Sequence, residues 1–211
     1  MQRLVIIGAG GLGREVLDVV EAVNAVDPTY DFVGFLDDGD VDDDALVRRG
    51  ASVVGVVDDL PGLDAAYLLG VGSPAGKANL DAKTLAWGCS APVLVHPDAT
   101  IGGDVRLGEG TILTAGVRIT TNVTAGRHVL LNLNATVGHD STIGDHVTVA
   151  PGTYISGNVA LADGVELGTG AAVLPGVTIG SRTMVGAGAT VTRDLPAGVT
   201  AVGTPAKPLG Q

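Results

Sequence analysis

The chain has 211 residues and a formal net charge of −11 with only 12 Lys and Arg, so it lacks the clustered basic surface that a nucleic-acid backbone requires. Hydrophobic residues make up 45% and aromatics 3%, which predicts a narrow core of Val, Leu, Ile and Ala. One cysteine, Cys89, permits no intrachain disulfide, and no apolar run reaches the roughly eighteen residues of a membrane helix.

The N-terminus MQRLVIIGAGG runs directly into a strand-like segment rather than a signal peptide, and the expectation is a soluble, cytoplasmic protein. RLVIIGAGGLGREVLDVVEAV predicts a buried strand, a glycine turn at Gly8 to Gly13, and an amphipathic helix with Val16, Val19 and Val20 inward. Gly8, Gly10 and Gly13 match GxGxxG between a strand and a helix, where backbone N–H groups receive a phosphate. The same glycines also suit close strand–helix packing alone. DFVGFLDD predicts a second strand ending at Asp37 and Asp38, placed to accept hydrogen bonds from a ribose or base, or else part of the solvated acidic run DDGDVDDD. AAYLLGVG predicts a third strand, and Ser73 with Pro74 opens a helix as N-cap and first-turn proline. These elements make a small three-stranded, Rossmann-like α/β unit with no second half to complete a dinucleotide-binding fold. The boundary is placed near Trp87 to Pro92, giving domains 1–90 and 91–211.

From Ala99 the chain reads in sixes: ATIGGD VRLGEG TILTAG VRITTN VTAGRH VLLNLN ATVGHD STIGDH VTVAPG TYISGN VALADG VELGTG AAVLPG VTIGSR TMVGAG ATVTRD. The third place is Ile, Leu or Val in every unit except the one holding Ala125. Such a period predicts an all-β parallel β-helix, with the third place inward and small residues at the corners. With three units per coil, residues eighteen apart stack about 4.8 Å apart. "RDLPAG" breaks the repeat, and "VGTPAKPLG" leads the chain out past Lys207.

The segments IIGAGGLGREVLDVV, FLDD, VHPDATIG, GHDSTIGDHVTVAPG, VGAGATVTRDLPAG and VGTPAK carry a resemblance over nearly the whole chain. They resemble the nucleotide-sugar acyltransferases that include the bacillosamine-pathway and perosamine N-acetyltransferases and the sialic acid O-acetyltransferases. The resemblance implies a homotrimer of left-handed β-helices, an N-terminal domain holding a UDP- or GDP-linked sugar, and acetyl-CoA in the groove between neighbouring helices. The substrate-binding positions are then Gly8, Gly10, Gly11, Leu12, Asp37, Asp38 and Gly72.

Transfer of an acyl group from a thioester to a sugar amine needs a base that takes a proton near neutral pH, a role suited to imidazole. His139 and Asp140 occupy the fifth and sixth places of their unit, at a corner. By resemblance His139 is the base and Asp140 its acidic partner, unless Asp140 turns outward. Gly157 lies one coil above His139 and leaves room for the thioester, while Pro151, Thr169 and Ala187 form a column on a different corner. One cofactor touches both columns only where neighbouring subunits meet. By resemblance Gly157, Thr169 and Ala187 contact the cofactor and Asn132 is an active-site asparagine; alternatively all are corner residues of a regular repeat. Thr148 stands where many relatives carry a second histidine contacting acetyl-CoA, and is read as a cofactor-binding hydroxyl. His128 and His146 stack on one edge, solvated or at an interface, and no three ligands for a metal are evident. The expected activity is acetyl-CoA-dependent N-acetylation of a nucleotide-linked amino sugar. Sugar O-acetylation and a non-enzymatic β-helix scaffold remain the alternatives.

Overall fold

A computed structural model describes residues 1–210; Gln211, the last residue of the expected second domain, lies outside the described residues. The N-terminal unit runs β1 (Gln2–Ile7), α1 (Gly11–Val26), β2 (Tyr30–Leu36), α2 (Asp43–Val47), β3 (Val53–Gly55), β4 (Ala66–Leu69) and α3 (Pro74–Ala86). Its parallel sheet has the order β3-β2-β1-β4. The central strand β1 buries Leu4, Val5 and Ile6 completely, as a parallel strand covered on both faces must.

Two expectations change here. The sheet has four strands rather than three, because the short segment Val53–Gly55 pairs with β2 at the edge. The acidic run is not wholly a solvated loop either. Asp42 Oδ1 accepts from the Ala45 amide at 3.0 Å as the N-cap of α2, and Asp43 and Asp44 sit in that helix's first turn. Carboxylates are stabilised at that end by the helix dipole.

The rest of the chain winds into a left-handed parallel β-helix with three flat faces. Thr136 pairs with Tyr154 and Val137 with Ile155, a separation of eighteen residues, so three hexads make one coil. The first face carries eight strands, from Leu94–Val95 to Lys207–Pro208; the second carries six, from Thr100–Ile101 to Thr190–Val191; the third carries five, from Val105–Leu107 to Thr178–Ile179. Third-place residues from Leu113 to Val191 fill the interior as one cluster. Ile101 departs from the pattern at 41% exposure, since no coil lies beneath its face to close the prism.

The sixth place of every hexad from Asp104 to Gly188 has positive φ. Glycine meets that requirement at no cost, and Asn, Asp and His are the side chains that tolerate it best. This local rule accounts for the placement of His128, Asn134, Asp140 and His146 at successive corners.

The N-terminal unit sits on the first face. Leu94, Ile112 and Leu130 occupy the outward second place there and are buried in one cluster with Val16, Val19 and Val20 of α1. Burial of each such side chain stabilises the pairing by about 1.5–3 kcal/mol.

Beside this apolar contact runs a polar seam. Asp81, on α3 and 3% exposed, accepts from Arg127 Nη2 at 2.8 Å and Nε at 3.2 Å, from His128 Nε2 at 3.0 Å and from His146 Nε2 at 2.8 Å. The two imidazoles stack with centroids 6.1 Å apart, so the predicted edge pair lies at an interface between the two parts of the chain rather than in solvent. Burial opposes ionisation of Asp81, but hydrogen bonds from Arg127 and His146 outweigh it and hold the carboxyl down to about 2. Burial lowers His128 to about 4, and its Nδ1 has no partner against Gly110. No described helix is long and apolar enough to cross a membrane.

Candidate active site

His139 and Asp140 lie on the corner between the second and third faces, between strands Thr136–Val137 and Thr142–Ile143. Asp140 has φ +57°, and its side chain folds back so that Oδ2 accepts from His139 Nδ1 at 2.7 Å. Its other oxygen, Oδ1, accepts from Asn122 Nδ2 at 3.1 Å, one coil below. Asp140 therefore does not turn outward. The His139 hydrogen bond first, and that of Asn122 second, hold its carboxyl below the usual carboxylate range.

With Nδ1 donating to a carboxylate, the ring carries its proton there and leaves a lone pair on Nε2. The imidazole is 57% exposed and projects from the prism rather than into it. Its Nε2 lies over Gly157, where an added Cβ would come within 2.6 Å of it. Glycine at 157 thus keeps the basic nitrogen uncovered, and the expected stacking of Gly157 above His139 is observed. Asn122 is a member of this constellation that sequence reasoning missed. The signal available was its position eighteen residues before Asp140.

Asn132, Pro151, Thr169 and Ala187 lie on the corner between the first and second faces. Thr169 and Ala187 are exposed, and Asn132 Oδ1 accepts from the Leu133 amide at 2.7 Å. The six-stranded second face separates this corner from that of His139. One chain does not bring the two columns together.

Thr148 requires correction. It is buried on the first face, and its hydroxyl donates to the Gly72 carbonyl at 2.7 Å, so its proton is engaged in the seam with the N-terminal unit rather than free for a thioester. The same bond places Gly72, whose added Cβ would lie 3.6 Å from Leu12 Cδ2, at the meeting point of the coil and the glycine turn.

The glycines of that turn divide by role. Gly13 and Gly8 are needed for packing, since a Cβ at Gly13 would lie 1.9 Å from the Gly8 carbonyl oxygen. Gly10 and Gly11 face open space, and no side chain caps α1. Asp37 Oδ2 accepts from the Ala9 amide at 2.7 Å and Oδ1 from Gly39 at 2.9 Å, while Asp38 Oδ1 accepts from Val57 at 2.9 Å. Both carboxylates thus hold the turn and its neighbouring loop. Each Asp37 oxygen has one backbone donor and keeps a second lone pair.

A stacked hexad coil with a carboxylate-held histidine on an open corner, joined to a glycine-turn α/β unit, defines a hexapeptide-repeat acyltransferase. A family model described as the PglD N-terminal domain matches residues 3–80, and one described as bacterial transferase hexapeptide (six repeats) matches residues 158–193. PerB from Caulobacter crescentus, solved with CoA and GDP-perosamine, is 34% identical with a TM-score of 0.90, over 100% of this chain and 98% of that one. The acetyltransferase domain of PglB from Neisseria gonorrhoeae, solved with acetyl coenzyme A, is 32% identical with a TM-score of 0.85, over 99% of each chain. WeeI from Acinetobacter baumannii AYE is 30% identical with a TM-score of 0.86, over 99% of this chain and 100% of that one. No curated protein matches the chain. The chain belongs to the bacillosamine and perosamine acetyltransferase family and is an acyltransferase.

Proposed function

We propose that the chain transfers the acetyl group of acetyl-CoA to the amino group of a UDP- or GDP-linked amino sugar, with His139 as general base. The observation that carries this is the His139–Asp140 bond, which fixes the ring's proton on Nδ1 and leaves Nε2 basic and open. As the sugar nitrogen attacks the thioester carbonyl, Nε2 accepts its proton and Asp140 stabilises the resulting imidazolium. Collapse of the tetrahedral intermediate forms the amide and breaks the carbon–sulfur bond, and Nε2 returns the proton to the departing sulfur. No acyl-enzyme is required, and Cys89 lies outside the repeats.

The open amides at Gly10 and Gly11, at the uncapped start of α1, suit the diphosphate of the nucleotide sugar. PerB, a relative across nearly its whole length, was solved with GDP-perosamine and CoA, which supports both ligand classes. In a homotrimer the corner bearing Asn132, Thr169 and Ala187 of one copy faces the His139 corner of the next, completing a groove that one chain leaves divided. The test is an assay of UDP- and GDP-linked amino sugars with acetyl-CoA, following release of the CoA thiol. A hydroxylamine-resistant acetylated product is expected, as for an amide. A hydroxylamine-labile ester would assign the O-acetyl reaction, and thiol release from no sugar would overturn the reading.

A further inference from the structure

Residues Val147 and Thr148, adjacent on the coil, hold one point in the loop before α3 and one in the first turn of that helix. Thr148 Oγ1 donates to the Gly72 carbonyl at 2.7 Å. Five residues further on, Lys77 Nζ donates to the Val147 and His128 carbonyls, both at 2.9 Å. Lys77 is 2% exposed. The loop so held, Gly70 to Ser73, leads into α3 and lies against the glycine turn. A Cβ at Gly70 would lie 2.6 Å from Gly13 Cα and 2.8 Å from the Gly8 carbonyl oxygen, and Gly72 abuts Leu12.

The apolar cluster beneath α1 already joins the two parts of the chain, and apolar residues would close this seam with a smaller desolvation penalty than a buried amine. What the directional bonds add is a fixed distance between the coil and the turn. We propose that Lys77 and Thr148 are positioning residues that hold the nucleotide-binding turn at a set height over the coil, so that a nucleotide-linked amine reaches the acyl-transfer groove. This rests on the nucleotide-sugar reading above. It gives Thr148 a role toward the nucleotide sugar, in place of the role toward acetyl-CoA expected from its position in the repeat.

The experiment compares calorimetric affinities for GDP, UDP and acetyl-CoA, and KM for the nucleotide sugar, in wild type, Thr148→Val, Thr148→Ser and Lys77→Met. Thr148→Val is expected to bind nucleotide about three- to tenfold more weakly, the scale of one lost hydrogen bond, with unchanged acetyl-CoA affinity and a near-normal Tm. KM for the nucleotide sugar should rise while kcat holds, and Thr148→Ser should restore it. Lys77→Met is expected to act in the same direction; should it fail to fold, Thr148→Val decides. A loss confined to acetyl-CoA affinity, or no loss of either, overturns the proposal while leaving the acetyltransferase reading intact. Wild type that binds neither GDP nor UDP overturns that reading and the proposal with it.

Discussion

His139 Nδ1 and Asp140 Oδ2 meet at 2.7 Å although the residues are neighbours in sequence, because the positive φ of the sixth hexad place turns Asp140 back toward the preceding ring. The pair is thus built from the repeat itself. Its function is to set a tautomer, and that sets the first expectation. His139→Ala should lower kcat at least about 10²-fold, the usual scale of a general base, with the fold retained. Asp140→Asn should cost less, since the ring remains but its tautomer is no longer imposed. Steady-state assays read both, and near-normal turnover in His139→Ala would remove it from the mechanism.

Gly157→Ala separates geometry from stability. Its Cβ would fall 2.6 Å from His139 Nε2. The backbone there is not in the left-handed region, and the ring is free to swing toward solvent. The expected change in unfolding free energy is therefore small, within the roughly ±0.5 kcal/mol of surface substitutions. The expected kcat loss is substantial, because the displaced nitrogen no longer faces the groove. A variant with wild-type kcat would show that the ring's seat over residue 157 is irrelevant to turnover.

The coil was legible in the sequence because each hexad repeats one physical demand: an aliphatic inward at the third place and a corner at the sixth. The register placed His139 and Asp140 together at a corner; their pairing rested on the resemblance, with an outward turn of Asp140 left open. The polar seam was not legible, since its members come from separate elements, with Asp81 46 residues from Arg127 and 65 from His146. Two signals were present but ambiguous alone. Lys77 and Asp81 are spaced to share a face of α3, and the outward second place is aliphatic at Leu94, Ile112 and Leu130, as a covered face requires. Thr148 was misplaced for the same reason: the repeat locates a residue on the coil but does not show what covers that face. Strand β3 was missed because three residues beyond an acidic run carry too little periodicity to read.

The interior column bears the stability of the coil. Ile143 is 3% exposed and stacked between Ala125 and Leu161. Ile143→Ala is expected to cost about 2–5 kcal/mol, as a cavity is left that the narrow prism closes poorly. Ile143→Asp should not fold, because an unpaired carboxylate has no hydrogen-bonding partner there. Denaturant titration checks the first and circular dichroism the second; an Ile143→Asp protein melting like wild type would show that the third place does not face inward.

The seam predicts a definite acid limb. Burial holds His128 at about 4 against an ordinary value of 6.5, with Asp81, Arg127, His146, Tyr67 and Lys77 around it. Between those two values the unfolded chain binds a proton that the folded one refuses, so stability falls as pH drops from about 6.5 to about 4. Asp81, held at about 2 against 3.8, adds stability that is lost over the lower window, as pH falls from 3.8 to about 2. Lys77, lowered by burial to about 7 from 10.5, works on the alkaline side: the unfolded chain binds the extra proton there, and stability rises with pH across that interval. His128→Asn tests the first of these windows, since asparagine accepts the positive φ of residue 128 and does not titrate. The variant should be less stable than wild type at neutral pH, having lost the ring's contacts. It should nevertheless lose less stability between pH 6.5 and 4, as measured by urea unfolding at intervals of pH. An unchanged slope would move the acid sensitivity away from His128.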